Sequence, residues 1–373
     1  MRSLHFSYYN TVNVPLTFCK VYEAMGHFGR LLTLYRHRGN IPEDICLDKK
    51  PFNPQWLKTL RDKREKQDEK SVALAARQGK VWEYGPKNIA ERVFFSMRDQ
   101  WRSIEFSRLA GRYTLYDFDL YHFHGGIDFF RDCRWVKRLS MMGKPIICHY
   151  HGPDIRSRGV IREMDALSGL NLTSEFDLLA LYPALRYLPI PFDCSQVPET
   201  SPPRDGKLRI IHTPSNPAAK GTHLIEPVLR QVARERDIDV VVLSGVSHQR
   251  IMEEKARSHI AIEQVGNFGG TGYGVNSLET LAMNMPTLTE FTPEYARFLA
   301  EGHPFLLVTR ETLRGELLRL IDDEEYRKKA GARGRPWVEK NHSYASVWRT
   351  MLGFMDKTMP RTADALRGSS PRE

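Results

Sequence analysis

Between residues 266 and 283 the chain reads G-N-F-G-G-T-G-Y-G-V-N-S-L-E-T-L-A-M, five glycines in nine residues running into a helix-like segment. A short apolar strand (260–263) precedes this stretch and an amphipathic helix (275–283) follows it, which makes it the joint of a βα unit. Glycines let backbone N–H groups come close to a phosphate, and the N-terminus of the next helix adds partial positive charge. Glycine clusters also occur in plain surface loops, so the rest of the pattern has to decide.

That pattern is βα alternation through most of the chain. Strands are expected at 3–7, 30–35, 115–125, 145–149, 170–173 and 187–190, with helices near 15–25 and 128–142. The segment Ser201–Pro202–Pro203–Arg204–Asp205–Gly206 is the best linker. After it the alternation resumes, with strands at 208–212, 240–244, 260–263, 287–289 and 305–308 and helices at 224–236, 275–283 and 311–358. The class is α/β: two doubly wound, Rossmann-like domains facing each other across a cleft, with ligands at the carboxyl ends of the strands. Residues 54–112 differ, being strongly charged with apolar residues at helical spacing (Trp56, Leu57, Leu60; then Val93, Phe94, Met97, Trp101, Ile104), and read as two or more amphipathic helices. The tail from Pro360 is expected to be disordered.

Charge is lopsided. Residues 1–150 hold 26 basic and 16 acidic side chains while 151–373 hold 29 of each, so the whole net charge of +10 sits in the first part. An anionic membrane surface or an anionic acceptor is therefore expected to meet residues 54–112, with Lys58, Arg61, Lys63, Arg64, Lys66 and Lys70 as the densest patch. No nucleic-acid motif is present, and the same segment carries Asp62, Glu65, Asp68 and Glu69, so nucleic acid is not expected as a partner. No apolar stretch is long enough to span a bilayer, and the opening residues do not read as a secretory signal. Five scattered cysteines without a C-x-x-C suit reduced thiols in a cytoplasmic protein, with peripheral attachment at the inner membrane face as the extension of the charge argument.

Two further loops end predicted strands. H-T-P-S-N-P-A-A-K-G (212–221) sets Lys220 beside a glycine at a helix start, a point charge next to free amides that suits a diphosphate. H-F-H-G-G (122–126) and H-G-P-D (151–154) come from neighbouring strands of the first domain and aim imidazoles and amides at the cleft, which brings in His124, Gly125, His151 and Asp154. Strand alternation puts His122 with His124 on one face and His149 with His151 on one face, so a metal is conceivable. No carboxylate or cysteine completes a familiar ligand spacing, and no metal is expected.

The order of these elements, H-G-x-D after a first-domain strand, K-G opening the second domain, then G-Y-G-V-N-S-L-E-T-L-A-M-N-M-P-T-L, resembles the retaining glycosyltransferases of family 4, which have the GT-B fold. L-P-I-P-F-D (188–193) is similar to that family's domain-closing segment. The resemblance implies an acceptor-binding domain over 1–200 and a nucleotide-sugar donor domain over 201–345. It also implies a helix over 346–359 returning to the first domain, and leaves 360–373 as a tail. It implies transfer of a sugar from a nucleotide diphosphate to a hydroxyl of a glycan, lipid or small molecule with retained configuration, and neither a cofactor nor a metal.

By the same resemblance Lys220 binds the donor diphosphate, Glu279 holds the nucleotide ribose, and Gly274, Val275 and Asn276 present amides to the phosphates. His151 faces the donor sugar, so His151, Glu279 and Lys220 carry the chemistry. Ser215, Asn216, Gly245, Gly270, Thr271, Gly272, Tyr273 and Ser277 complete the donor surface. Asn13, His124, Gly125 and Asp154 lie near the sugar or acceptor. Departures stand at Thr271, where the family has a first glutamate, at Ser215, where it has an arginine, and at Y-N-T-V-N-V-P (9–15), which lacks a glycine pair. They leave open a subunit of the same fold that binds nucleotide or a partner without transfer, and a sugar-nucleotide epimerase.

Overall fold

The computed structural model describes residues 1–37, 42–48, 67–86, 88–198, 200, 206–269, 272–299 and 302–368. The chain divides into two compact units: Met1–Pro189 with Val347–Glu373, and Ile190–Ser346.

In the first unit the order is β1 (Arg2–Ser7), α1 (Val14–Ala24), β2 (Phe28–Thr33), β3 (Ile45–Cys46), α2 (67–77), α3 (Ile89–Arg112), β4 (Leu120–His124), α4 (Arg134–Met141), β5 (Ile146–Tyr150), α5 (Arg162–Leu167), β6 (Leu170–Thr173), α6 (Leu178–Leu181) and β7 (Arg186–Tyr187). The strands form one parallel sheet in the order β3-β2-β1-β4-β5-β6-β7. Every residue of β4 and β5 is buried, as a parallel sheet covered on both faces requires. Alternation then sorts the two faces. Leu4, Phe6, Tyr121, Phe123, Cys148 and Tyr150 join the aromatic core around Phe106 and Trp135. The intervening positions, Ser3, His5, His122, His124 and His149, point the other way and are buried as well.

The second unit runs β8 (Leu208–His212), α7 (Thr222–Glu235), β9 (Ile238–Val242), α8 (His248–Ala256), β10 (Ile260–Gln264), α9 (Val275–Ala282), β11 (Thr287–Thr289), α10 (Pro293–Phe298), β12 (Leu306–Leu307), α11 (Leu313–Asp322), α12 (Glu324–Ala332) and α13 (Gly334–His342). Its parallel sheet has the order β12-β11-β10-β8-β9. α14 (Tyr344–Thr358) leaves this unit and, with α15 (Pro360–Gly368), packs on the first. The Trp348 ring meets Tyr22 at 4.9 Å and His27 at 5.2 Å.

Two expectations are revised, and the structure settles a face the sequence left open. Residues 360–368 form α15, with Ala363 and Leu366 buried, because an apolar pair three apart gives one turn a face to bury; residues 369–373 lie outside the described residues. The helix expected at 128–142 starts at Arg134, because Asp128 folds inward and accepts the N–H groups of Phe130 and Val136 (3.1 and 3.0 Å). The apolar stripe of α3 faces outward, with Met97 and Trp101 69% and 80% exposed, while Phe106 and Asp99 face inward. The part of 54–112 before residue 67, the patch from Lys58 to Lys66, and residues 201–205 of the linker lie outside the described residues.

Candidate functional site

In the second unit the carboxyl ends of β8 and β10 bring Lys220, Glu263 and Asn276 together. Gly221 makes this possible. It is left-handed (φ 67°), and a Cβ there would stand 1.7 Å from the Val265 carbonyl oxygen, so only glycine lets the start of α7 lie this close to the end of β10. Lys220 Nζ donates to Glu263 Oε1 (2.5 Å) and to Gln264 Oε1 (3.0 Å). The Asn276 amide donates to Glu263 Oε2 (2.6 Å), and its oxygen accepts from Thr213 (2.7 Å). Burial pushes the Glu263 carboxyl up, but the Lys220 ammonium and the bonds from Lys220 and Asn276 outweigh it and hold the group at about 2. Glu263 is therefore ionised, and Lys220 is already neutralised by it.

Asn276 also links this group to Glu279. Lys255, at the end of α8 and fully buried, donates to the Asn276 carbonyl (3.2 Å) and to the Glu279 carboxylate. His248 Nε2 bonds Glu279 Oε1 at 2.7 Å. Burial opposes ionisation of Glu279, and the Lys255 charge with the His248 bond draws its pKa below the usual carboxylate range. The bond to Glu279 raises the pKa of His248 in turn. Thr213, Asn276, Glu263, Lys220, Lys255, Glu279 and His248 thus form one connected polar network.

The remaining donor candidates fall around it. The first-turn N–H groups of Val275 and Asn276 have no partner within α9, and a Cβ on Gly274 would meet nothing within 4 Å among the described residues, so among these the helix start is open. Ser277 is buried in the same turn. Gly272 lies against Tyr295, and the Tyr273 hydroxyl bonds His342 Nε2 at 2.9 Å. Asn216 caps its own loop by accepting from Ala219 (3.3 Å), and Ser215 beside it is exposed. Gly245 stands in the loop after β9 and takes no part in the network among the described residues. Gly270 and Thr271 lie outside the described residues.

Glu263, Lys255 and His248 are functional candidates that sequence reasoning missed. Glu263 left a signal, an acid at the end of an otherwise apolar strand. Lys255 and His248 left none, because only the packing of α8 beside α9 brings them to Glu279.

In the first unit the histidines stack. His122 and His124 rings are 4.4 Å apart, His149 lies 5.7 Å from both, and His151 lies 5.1 Å from His149 and 5.7 Å from His124. His5, from β1, adds a member that no local spacing could reveal: its register partner is His122, and its Nδ1 lies 3.2 Å from His124 Nε2. Phe18 of α1 covers His122, His124 and His149. Burial lowers the pKa of His5 to about 3 and drives His122, His124 and His149 well below the usual histidine value, so all four are neutral imidazoles.

The edge of this stack carries the other candidates. His151 is half-buried, and its backbone N–H donates to Asp154 Oδ2 at 2.8 Å. Arg158 pairs with Asp154 (3.9 Å) and donates to the Gly125 carbonyl. Gly126 is left-handed, and a Cβ there would stand 2.0 Å from the Tyr150 ring, which explains the second glycine of H-F-H-G-G. Asn13, also left-handed, precedes α1, and its side-chain oxygen accepts from Asn10 (2.9 Å), a local turn contact. Away from this edge, a cavity of 520 Å³ is lined by Tyr84, Arg92, Phe95, Asp99, Arg131 and Glu163 among others.

A family model described as "Glycosyl transferase-like" matches residues 224–353. No curated protein sequence matches the chain. Among solved structures the chain is similar to a glycosyltransferase from Rickettsia africae (TM-score 0.59, 10% identity, 96% of this chain and 98% of that one). It is similar to the sucrose-phosphate synthase of Thermosynechococcus elongatus (TM-score 0.56, 10% identity, 97% and 100%). Anabaena HepE in complex with UDP and glucose is a third (TM-score 0.55, 10% identity, 96% and 100%). The chain has the GT-B fold, two Rossmann-like α/β units, and over residues 224–353 it is similar to the glycosyl transferase-like family.

Proposed function

We propose that the chain is a glycosyltransferase that moves a sugar from a nucleoside-diphosphate donor to an acceptor hydroxyl with retained configuration and without a metal at the diphosphate. The observation that carries this reading is the pairing of Lys220 with the open start of α9 across Glu263 and Asn276. An ammonium and free helix amides are what a leaving diphosphate needs, and a dry, preorganised site makes them count in the transition state. Glu279 is the acceptor for the ribose hydroxyls, and His151, beside the Asp154–Arg158 pair, is the group on the sugar side. Sugar nucleotides whose complexes are known for structurally similar proteins include UDP-glucose, seen with Anabaena HepE.

Incubation with UDP-, GDP-, ADP- and dTDP-sugars tests the reading. Donor hydrolysis or transfer is expected, and Lys220→Ala is expected to lower it by about 10²-fold, the loss typical of one electrostatic contact to a developing charge. No turnover by folded protein on any donor overturns transfer.

Glu263 favours a second reading, a subunit that binds nucleotide without transferring. It cancels the Lys220 charge, and Ser215 supplies no second cation. Saturable nucleotide binding without turnover separates this from the first.

The acceptor side is proposed to meet an anionic membrane. Along α3, Ile89, Val93, Phe94, Met97, Trp101 and Ile104 are exposed beside Arg92 and Arg108, the pattern of a helix lying in a lipid interface. Among the described residues no helix is long and apolar enough to cross a membrane.

A further inference from the structure

We propose that His5, His122 and His124 form a binding site for a first-row transition-metal ion, zinc(II) in the first instance, inside the first unit. One ligand nitrogen from each of the three lies within 4.8 Å of the others. His5 Nδ1 and His124 Nε2 stand 3.2 Å apart. That separation is a hydrogen bond between the two rings; a zinc ion at about 2.0–2.1 Å from both nitrogens would displace its proton, and the nearly parallel His122 and His124 rings (13°) would have to turn for the ion to lie in both ring planes.

The tautomer of His5 is set for ligation. The Ser3 hydroxyl donates to the Phe28 carbonyl (3.2 Å), so toward His5 Nε2, 3.3 Å away, it acts as acceptor. This arrangement suits the tautomer with the His5 proton on Nε2, whose Nδ1 accepts from His124 Nε2 (3.2 Å) until an ion displaces that proton. A ligand histidine held by its far nitrogen is the usual outer-shell arrangement around a bound metal.

His122 is the independent observation. It has no exposed surface, and neither ring nitrogen has a hydrogen-bond partner among the described residues. His124 and His149 differ from it, each keeping one partnered nitrogen, His124 Nε2 on His5 and His149 Nε2 on Ser174. A core histidine kept for packing normally finds at least one partner, since an unpaired buried nitrogen bears its desolvation cost with nothing to offset it. A metal ion supplies the missing partner.

Neutral imidazoles without thiolate or carboxylate suit zinc, copper or nickel and disfavour magnesium or calcium. The ion would tie β1 to β4 beneath α1, a structural site separate from the residues proposed to hold the diphosphate. Sequence spacing argued against a metal because no carboxylate or cysteine completed a familiar ligand set beside the four histidines of β4 and β5; the register of β1 adds a fifth, His5, and groups it with His122 and His124.

Untagged, chelator-treated protein is titrated with Zn2+ and Co2+, with metal content measured after dialysis and thermal unfolding followed in parallel. About one ion per chain is expected, with a rise in melting temperature and a cobalt visible spectrum of tetrahedral type. X-ray absorption of the zinc form should give three or four imidazole nitrogens and no sulfur. His122→Leu and His5→Gln should each lose the ion, and exposed His223→Ala should keep it. No stoichiometric ion in the wild type, a coordination shell without imidazole, or retention by either core variant overturns the site, whether or not the other variant folds. Because the readouts are metal content and melting temperature, failure here leaves the glycosyltransferase reading untouched.

Discussion

Lys255 has no exposed surface, and its ammonium serves the Glu279 carboxylate and the Asn276 carbonyl. Removing one partner of such a pair leaves the other buried and charged, which costs about 3–5 kcal/mol, whereas removing both with apolar residues of similar volume is close to neutral. Lys255→Met should therefore destabilise the protein by that amount in urea unfolding, and Lys255→Met with Glu279→Leu should recover most of it. Equal losses in the single and double variants would mean the pair is not the source. His342 gives a second residue-level outcome. Burial lowers its pKa to about 4 against the raising effect of its bond to the Ile190 carbonyl, and its other nitrogen bonds Tyr273. The unfolded chain binds this proton near pH 6.5 and the native state near 4. The stabilisation is complete above pH 6.5 and lost as pH falls through 4, about 3 kcal/mol in all. The melting temperature of His342→Gln should fall less than that of the wild type between pH 7.5 and 4.5; parallel curves would contradict the assignment. At this scale the sequence pointed to residues on loops and at a helix start, such as Lys220, Gly274 and Asn276, because that chemistry is local. It could not show Lys255, His248 or His5, whose neighbours are set by helix packing and strand register.

Elements were legible where their period was strong. Strands 170–173, 208–212 and 287–289 and the helix from 275 lie where alternation and glycine stops put them. Boundaries failed where one side chain overrode periodicity, as Asp128 does before α4. Which side an amphipathic helix turns inward was left open by its spacing. α3 has helical spacing throughout, yet its stripe from Ile89 to Ile104 is exposed, and the buried contacts come from Asp99 and Phe106. Asp99 accepts from the Arg131 backbone (2.6 Å) and the Asp132 backbone (3.3 Å), anchoring the helix through its polar side. Among the described residues Met97 and Trp101 on this outward face are 69% and 80% exposed. Met97→Ala with Trp101→Ala should leave stability within about 0.5 kcal/mol of the wild type. Co-sedimentation with vesicles containing anionic lipid should drop several-fold. Unchanged sedimentation, or equal binding to neutral vesicles, removes the membrane from the proposed function.

For the whole molecule, the two units are not two halves of the sequence. The first unit takes residues 1–189 and then 347–373 from beyond the second, so α14 and α15 join it only when the end of the chain has returned. Trp348, Met351, Leu352, Met355 and Leu366 are buried in α14 and α15, and the Tyr22 hydroxyl points at Met351 Sδ, 3.9 Å away. Burying five side chains of this size contributes about 10 kcal/mol as an upper estimate, comparable to the whole stability of a typical domain. The second unit, in contrast, is closed by its own ends: Phe192 N–H donates to the His342 carbonyl at 2.7 Å, and His342 Nδ1 reaches Ile190. A chain ending at Ser346 should therefore lose the unit it is distant from in sequence and keep the one it directly follows. In limited proteolysis the fragment 190–346 should persist while 1–189 is degraded, and the thermal transition of the first unit should vanish. Survival of 1–189 with its melting transition intact would show that α14 and α15 only lie on a unit already complete without them.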